Sequence, residues 1–138
     1  MDMVRCGLAA YGDMDGFKEA LSWKTRIVFL KYVKKASYIS YSRTYKTTRR
    51  TRVATIPLGY GDGYMRSLSN KASVLINGRR AKIIGNITMD MSMVDVSDLD
   101  VKIGDEVIVV GKSGDDFISV KELAAKAGTI SYEITVFF

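Results

Sequence analysis

A mainly β chain, closed into a small barrel or sandwich with one short helix, is the fold class the sequence predicts. Three observations point there. The longest apolar runs, IVFL and VIVV, are of strand length. The pair Asn77-Gly78 separates two β-rich segments, the strongest short hairpin signal a sequence carries. A helical signature stands out once: Ser119 followed by Glu122 reads as a capping box, and Gly128 stands where a C′ glycine is expected.

The elements follow in chain order. Residues 1–20 differ from the rest: the apolar piece VRCGLAAYG leads into the turn-like GDMDGFKEA, as the tail of one element followed by a linker would. LSWKTRIVFLKYV alternates, which puts Leu21, Trp23, Ile27, Phe29 and Val33 on one side of a strand. SYISYSRTYKTTRRTR, read as extended backbone, places Tyr41, Arg43 and Tyr45 on one face. RVATIPLG is a further strand, with Pro57 at its end or on an edge because proline cannot donate to a ladder. SVLINGRRAKIIG forms the hairpin, MSMVDV and DEVIVVG add two strands, and ISYEITVFF reads as a closing strand after the helix.

A chain of 138 residues is about one domain, long enough to bury a core. No run approaches the roughly 20 apolar residues of a membrane-spanning helix. The start, MDMVRCG, has no apolar stretch of signal-peptide length, so a cytoplasmic chain is the default expectation. Cys6 is the single cysteine, which excludes an internal disulfide. Histidine is absent, so a Ser-His-Asp or Cys-His nucleophile pair within the chain is excluded, as is histidine-bound zinc. Acid–base chemistry here has to use tyrosine, lysine or a carboxylate. The net charge of +6 permits anion binding without choosing among nucleic acid, phosphate and carboxylate.

Several stretches invite a functional and a plain reading. Arg43, Lys46, Arg49, Arg50 and Arg52 with Tyr38, Tyr41 and Tyr45 could stack bases and neutralise phosphates, or form a solvated hairpin. GYGDGY, residues 59–64, lacks the spacing of a dinucleotide or P-loop motif and reads locally as a tight turn. Met89, Met91 and Met93 alternate as core-filling methionines would, and DVSDLD reads as turn chemistry rather than a metal cluster. Arg5 stands in an apolar segment with no acid beside it to act as partner.

Together the motifs VRCGLAAYG, ISYSRTY, ATIPLGYGDGYMRSLSN, VLINGRRAKIIGNITMDMSMVDV, VKIGDEVIVVG and GTISYEI occur in an order and spacing that resemble the alanine racemase family over nearly the whole chain. The resemblance implies a Greek-key-like β-barrel over residues 21–138, truncated at its C-terminus, preceded in residues 1–20 by the end of a cofactor-binding TIM barrel and a linker. It implies pyridoxal 5′-phosphate as cofactor, alanine as substrate and a homodimer with shared active sites, without nucleic acid or membrane. D-alanine would supply cell-wall peptidoglycan. The Schiff-base lysine of the family has no counterpart here, so the chain by itself is expected to be inactive.

The same resemblance assigns residues. Tyr41 falls on the catalytic tyrosine, which faces the cofactor of the other subunit. A phenol titrates near pH 10 in water, so a base of this kind calls for a neighbouring cation. Arg5 falls on the arginine facing the pyridine nitrogen; a guanidinium keeps its protons, which leaves that nitrogen unprotonated and limits side reactions. Gly7 and Leu8 fall on positions whose backbone N–H groups meet the phosphate, and Tyr132 on a tyrosine whose hydroxyl does the same. Met89 offers a backbone N–H to the substrate carboxylate, and Tyr60 lines the entrance, against the plain-turn reading of GYGDGY.

The sequence departs from the family at Cys6, where proline is usual, and at Ser42, where glycine usually follows the tyrosine. Asn86 replaces an arginine of the entrance, and Thr88 a common cysteine. The chain also ends at ITVFF, short of the family's basic, proline-containing tail. The alternatives are a serine or broad-specificity racemase, a basic barrel binding single-stranded nucleic acid, and a non-catalytic oligomerisation module.

Overall fold

A computed structural model describes residues 3, 5–11, 14, 16–18 and 20–136. The chain is mainly β. The strands are β1 (Trp23–Arg26), β2 (Phe29–Val33), β3 (Tyr38–Ile39), β4 (Tyr45–Lys46), β5 (Thr51–Ile56), β6 (Ser73–Ile76), β7 (Arg79–Lys82), β8 (Ser92–Asp95), β9 (Glu106–Ser113) and β10 (Asp116–Ile118). Two helices follow, α1 (Val120–Ala127) and α2 (Ser131–Thr135), and short 3-10 turns lie at Gly7–Tyr11, Tyr41–Arg43, Tyr60–Asp62 and Arg66–Leu68.

One sheet runs β1-β9-β6-β7 with β10 also on β9, and a second runs β2-β5-β8, all pairs antiparallel. Two features join them. An isolated bridge pairs Ile83 with Val94 between β7 and β8. At the other seam the chain changes sheets within two residues: the Ile27 N–H donates to Asp105 and the Val28 N–H to Thr55. The result is a closed barrel. Its order β5-β8-β7-β6 is that of a Greek key, because β5 lies beside β8 rather than β6.

That seam corrects the alternation read for residues 21–33. Ile27 is buried, but the parity of the pattern flips at the corner, so Phe29 points to solvent and Leu30 turns inward. A strict period of two holds only while a strand stays in one sheet. β5 is buried at most positions along its length, as a central strand is, and Pro57 stands just past its end. The Asn77-Gly78 hairpin joins β6 and β7, with φ of 50° and 75° at its two turn residues, the conformation the right-handed strand twist favours.

The main core is aliphatic: Ile27, Ile56, Val74, Ile76, Val94, Val107, Val109, Ile118 and Leu123 are all buried. Each contributes about 1.5–3 kcal/mol relative to exposure. Tyr64 is buried among them, edge-on to Trp23 with centroids 5.7 Å apart, and its hydroxyl has no hydrogen-bond partner among the described residues. Burial, and to a lesser extent the charge of Glu122, pushes its phenol well above the ordinary range. A smaller cluster of Ile39, Val53 and Ile84, covered by Val33, Tyr45 and Met93, lies beneath the β3–β4 hairpin.

α1 forms as its sequence signature requires. Ser119 Oγ accepts from the Glu122 N–H at 2.9 Å, and the Gly128 N–H closes on the carbonyls of Ala124 and Ala125. The Glu122 carboxylate, however, serves Arg80 and Lys126 instead of reaching back to the cap. The closing segment is a second helix rather than the expected strand. Ile134 and Thr135 are buried side by side while Tyr132 and Glu133 face out, a grouping an alternating strand cannot produce. Thr129 Oγ1 donates to the Glu133 carboxylate at its start.

Candidate active site

The stretch 37–52 is not one extended strand, so Tyr41, Arg43 and Tyr45 do not share a face. It is a short hairpin, β3 paired with β4, with Tyr41 at its reversal. The aromatic–basic character is absorbed within the protein. The Arg43 guanidinium and the Lys46 ammonium each lie 5.5 Å from the Tyr38 ring centre. Arg50 lies 4.4 Å over Tyr32, with Arg52 nearby, and Arg49 pairs with Asp98 at 2.6 Å. That pairing holds the Asp98 carboxyl below its usual range. Of the three rings named for base stacking, Tyr38 already carries the protein's own cations. Tyr45 helps to cover the small core.

Tyr41 is 71% exposed, the tip of a strained turn. Ser40 adopts φ 61° with ψ −172°, Ser42 φ 60° with ψ 7°, and Arg43 φ 53°. Ordinary L residues occupy such regions at a cost of about 1–3 kcal/mol each, and only where surroundings over-determine them. The left-handed conformation at Ser42 explains why glycine suits that position.

Opposite Tyr41 lies the loop that follows β5. Here the glycines of GYGDGY have a contact role as well as a turn role. A Cβ on Gly59 would come within 2.3 Å of the Thr88 and Met89 backbone, so only glycine permits this approach. The loop is then fastened backbone to backbone: the Tyr60 N–H donates to Thr88 at 2.9 Å and the Gly61 N–H to Met89 at 2.8 Å. Residues 88–91 form a turn of their own, closed by the Thr88 N–H on the Met91 carbonyl. Met89 and Met91 are therefore exposed, against the core-filling expectation, and only Met93 packs inward.

These segments converge. Tyr41, Tyr60 and Met89 line one pocket of about 300 Å³ with Arg66, Asn86, Ile87, Thr88 and Asp90. Arg66 brings a cation to the lining; Arg43 is turned onto Tyr38. Asn86 is buried, and its side-chain amide is engaged at both ends. A larger hollow, about 800 Å³ and lined partly by Lys18, Lys24, Lys112 and Lys121, contains none of the catalytic, cofactor or substrate residues expected from the sequence. The aspartates 95 and 98 serve a turn and an ion pair, Asp95 accepting from the Ser97 N–H and hydroxyl.

Arg5, Gly7, Leu8 and Tyr132 do not line the Tyr41 pocket. Gly7 and Leu8 open the 3-10 turn Gly7–Tyr11, and Arg5 is exposed just ahead of it. Tyr132 is brought to the same place from 125 residues away: its hydroxyl lies 3.4 Å from where a Cβ on Gly7 would stand. A hydroxyl and a turn of backbone N–H groups are the donors an anion requires. The chain thus carries two separate polar loci.

Gly59, Gly85, Thr44 and Asn70 were not singled out by sequence reasoning, although all shape the first locus. A Cβ on Gly85 would approach the Ile39 carbonyl to 2.7 Å and the Ser40 Cβ to 2.9 Å, immediately beneath the Tyr41 turn. The repeated Gly-Tyr/Gly-Asp pattern was a visible signal for Gly59; for Thr44 and Asn70 no local signal existed.

Comparison with known proteins places the chain in a family. Residues 20–138 match the family described as alanine racemase, C-terminal domain. The chain is 47% identical to an alanine racemase of Halothermothrix orenii, over 97% of this chain and 38% of that protein. It is 48% identical to one of Symbiobacterium thermophilum, over 96% and 38% respectively. It therefore spans less than half the length of these relatives. Among solved structures, alanine racemase from Bacillus anthracis with bound L-Ala-P superposes with a TM-score of 0.89 at 37% identity, covering 95% of this chain and 36% of that one. The enzyme from Bartonella henselae, with covalently bound pyridoxal phosphate, gives 0.85 at 30% identity, covering 95% and 38%. A match over most of the chain, with close relatives on both sequence and fold, establishes that this chain belongs to the alanine racemase C-terminal domain family.

Proposed function

We propose that the chain is the C-terminal part of a cytoplasmic, dimeric alanine racemase that interconverts L- and D-alanine for peptidoglycan synthesis. In this reading residues 1–20 end a cofactor-binding barrel and residues 21–138 form the β domain. The observation that carries it is Tyr41, an exposed phenol at the tip of a strained turn, set in one pocket with Tyr60 and Met89.

Pyridoxal phosphate fits the second locus. Gly7 leaves room where a side chain would meet Tyr132, and the turn after Arg5 can present N–H donors to a phosphate. Gly7, Leu8 and Tyr132 would hold that phosphate, while Arg5 would face the ring nitrogen and keep it free of a proton. When bound, the cofactor supplies an electron sink for the substrate α-carbon.

The remaining work belongs to residues of this chain. Tyr41 removes or returns the α-proton on the L face through its phenol oxygen, in a site completed by the partner subunit. Met89 presents its backbone N–H to the substrate carboxylate. Tyr60 narrows the entrance. The separation of the two loci supports this division: each chain offers Tyr41 to one site and Arg5, Gly7, Leu8 and Tyr132 to another.

The test is Tyr41→Phe in the full-length protein. Loss of a general base costs about 100-fold or more in rate. L-alanine turnover should fall by that amount, while wash-out of the α-hydrogen of D-alanine into D2O persists. Unchanged L-alanine turnover would reject the assignment.

A further inference from the structure

We propose that Asn86, acting with Thr44 and Asn70, is the positioning residue that holds Tyr41 in its working orientation. The inference rests on the reading of Tyr41 as the base. Asn86 is only 7% exposed and both ends of its amide are committed. Its Nδ2 donates to the Tyr41 carbonyl at 3.0 Å, and its Oδ1 accepts from Thr44 Oγ1 at 3.3 Å. Its own backbone carbonyl accepts from Ser40 Oγ at 2.6 Å. Asn70 extends the brace, donating from Nδ2 to Thr44 Oγ1 at 3.1 Å and accepting the Gly85 N–H on Oδ1 at 2.6 Å.

One buried residue therefore grips Tyr41 and residues on both sides of it. This is the over-determination that backbone in sparsely populated regions needs to persist. Released from it, Ser40, Ser42 and Arg43 would relax toward negative φ and swing the phenol away from the pocket. Misplacement of a reacting group by about 1 Å costs on the order of 100-fold in rate. The brace is made of neutral amides and hydroxyls, so it holds the turn without adding a charge beside the phenol.

Asn86→Asp is isosteric but replaces the side-chain donor that meets the Tyr41 carbonyl with an acceptor. Thr44→Val removes the bridging hydroxyl at an exposed position, where misfolding is not a concern; Thr44→Ser keeps it. In the full-length holoenzyme, Asn86→Asp and Thr44→Val should lower kcat from L-alanine by about 10- to 100-fold with KM changed less than about 3-fold. Exchange of the D-alanine α-hydrogen with D2O should stay at the wild-type rate, and Thr44→Ser should restore the L-side rate. In the cofactor-free protein, amide exchange across residues 38–46 should speed up in the same two variants and not in Thr44→Ser. Wild-type kcat in both variants, or equal losses on the L and D sides, would overturn the bracing role while leaving Tyr41 as the base. Undiminished L-side turnover by Tyr41→Phe would overturn the base reading, and the bracing proposal with it.

Discussion

Two of the barrel's antiparallel hairpins, β6–β7 and β3–β4, reverse on opposite principles. At Asn77-Gly78 the left-handed backbone falls on the two residue types that adopt it most readily, and the side-chain bonds at the turn run from Asn77 to Asp100 and Asp105 and from the Gly78 N–H to Ser113. At Tyr41 the left-handed backbone falls on Ser40, Ser42 and Arg43, which resist it, and a buried asparagine holds the turn in place. A structural hairpin relaxes to the conformation its residues prefer. The hairpin that presents Tyr41 is strained, and its strain is carried by Asn86 and its neighbours. The strain thus falls at the residue proposed as the base.

The sharpest way to break this contrast is to add a methyl group at one glycine of each region, Gly85 beneath the Tyr41 turn and Gly78 within the other. Gly85→Ala meets the Ile39 carbonyl at 2.7 Å in addition to a φ of 78°, and should destabilise by about 2–3 kcal/mol in chemical denaturation. Gly78→Ala has the comparable φ of 75° but nothing closer than 3.6 Å, so only the left-handed cost of about 1 kcal/mol applies. Equal losses would mean that the two turns are supported alike.

Relieving the strain is the converse experiment, with a smaller effect. Ser42→Gly should stabilise by about 0.5–1 kcal/mol, because the relief of φ 60° exceeds the entropy glycine adds to the unfolded chain. Asn77→Gly, at a residue already suited to its turn, should change stability by no more than a few tenths of a kcal/mol. Thermal melts of the two variants would separate them.

Acid should distinguish the regions by the smallest effect. The first hairpin is tied to β10 and α1 through Arg80, which binds Asp116 at 2.8 Å and Glu122 at 2.7 Å. Burial alone would raise the Glu122 carboxyl, but hydrogen bonds from Arg80 and Lys126 outweigh it and hold it below its usual value. The hydrogen bond from Arg80, then that from the Phe117 N–H, lowers Asp116. Both carboxylates therefore favour the folded state at neutral pH, and that contribution fades as pH falls from about 4 through their depressed folded-state values. Amide exchange in β7 and α1 should accelerate over that range before exchange at residues 38–46, whose brace contains no titrating group.

Much of the scaffold was legible because it is local. The Asn77-Gly78 turn, the Ser119 cap, the Gly128 stop and the strand ending at Pro57 each depend on residues within a few positions, and each stands where the sequence put it. The misreadings arose where a distant partner intervened. Phe29 faces outward because the strand changes sheets at Ile27, and α2 replaces a strand because its buried pair Ile134–Thr135 is adjacent rather than alternate. Met89 is exposed because its segment turns under Gly59. The ordered motifs carried Tyr41, Tyr60 and Met89 as a set, and the fold brings those three to one pocket.

The sequence by itself determined the fold class, the lack of histidine in these 138 residues and the family to which the chain belongs, since composition, periodicity and ordered motifs are properties of the chain alone. Only the tertiary structure decided that Asn86 faces Tyr41, that Tyr132 meets Gly7 and that Gly59 lies against Met89. Each of those contacts joins residues between 30 and 125 positions apart, and the distance between such residues is set by barrel closure rather than by any local preference of the residues themselves.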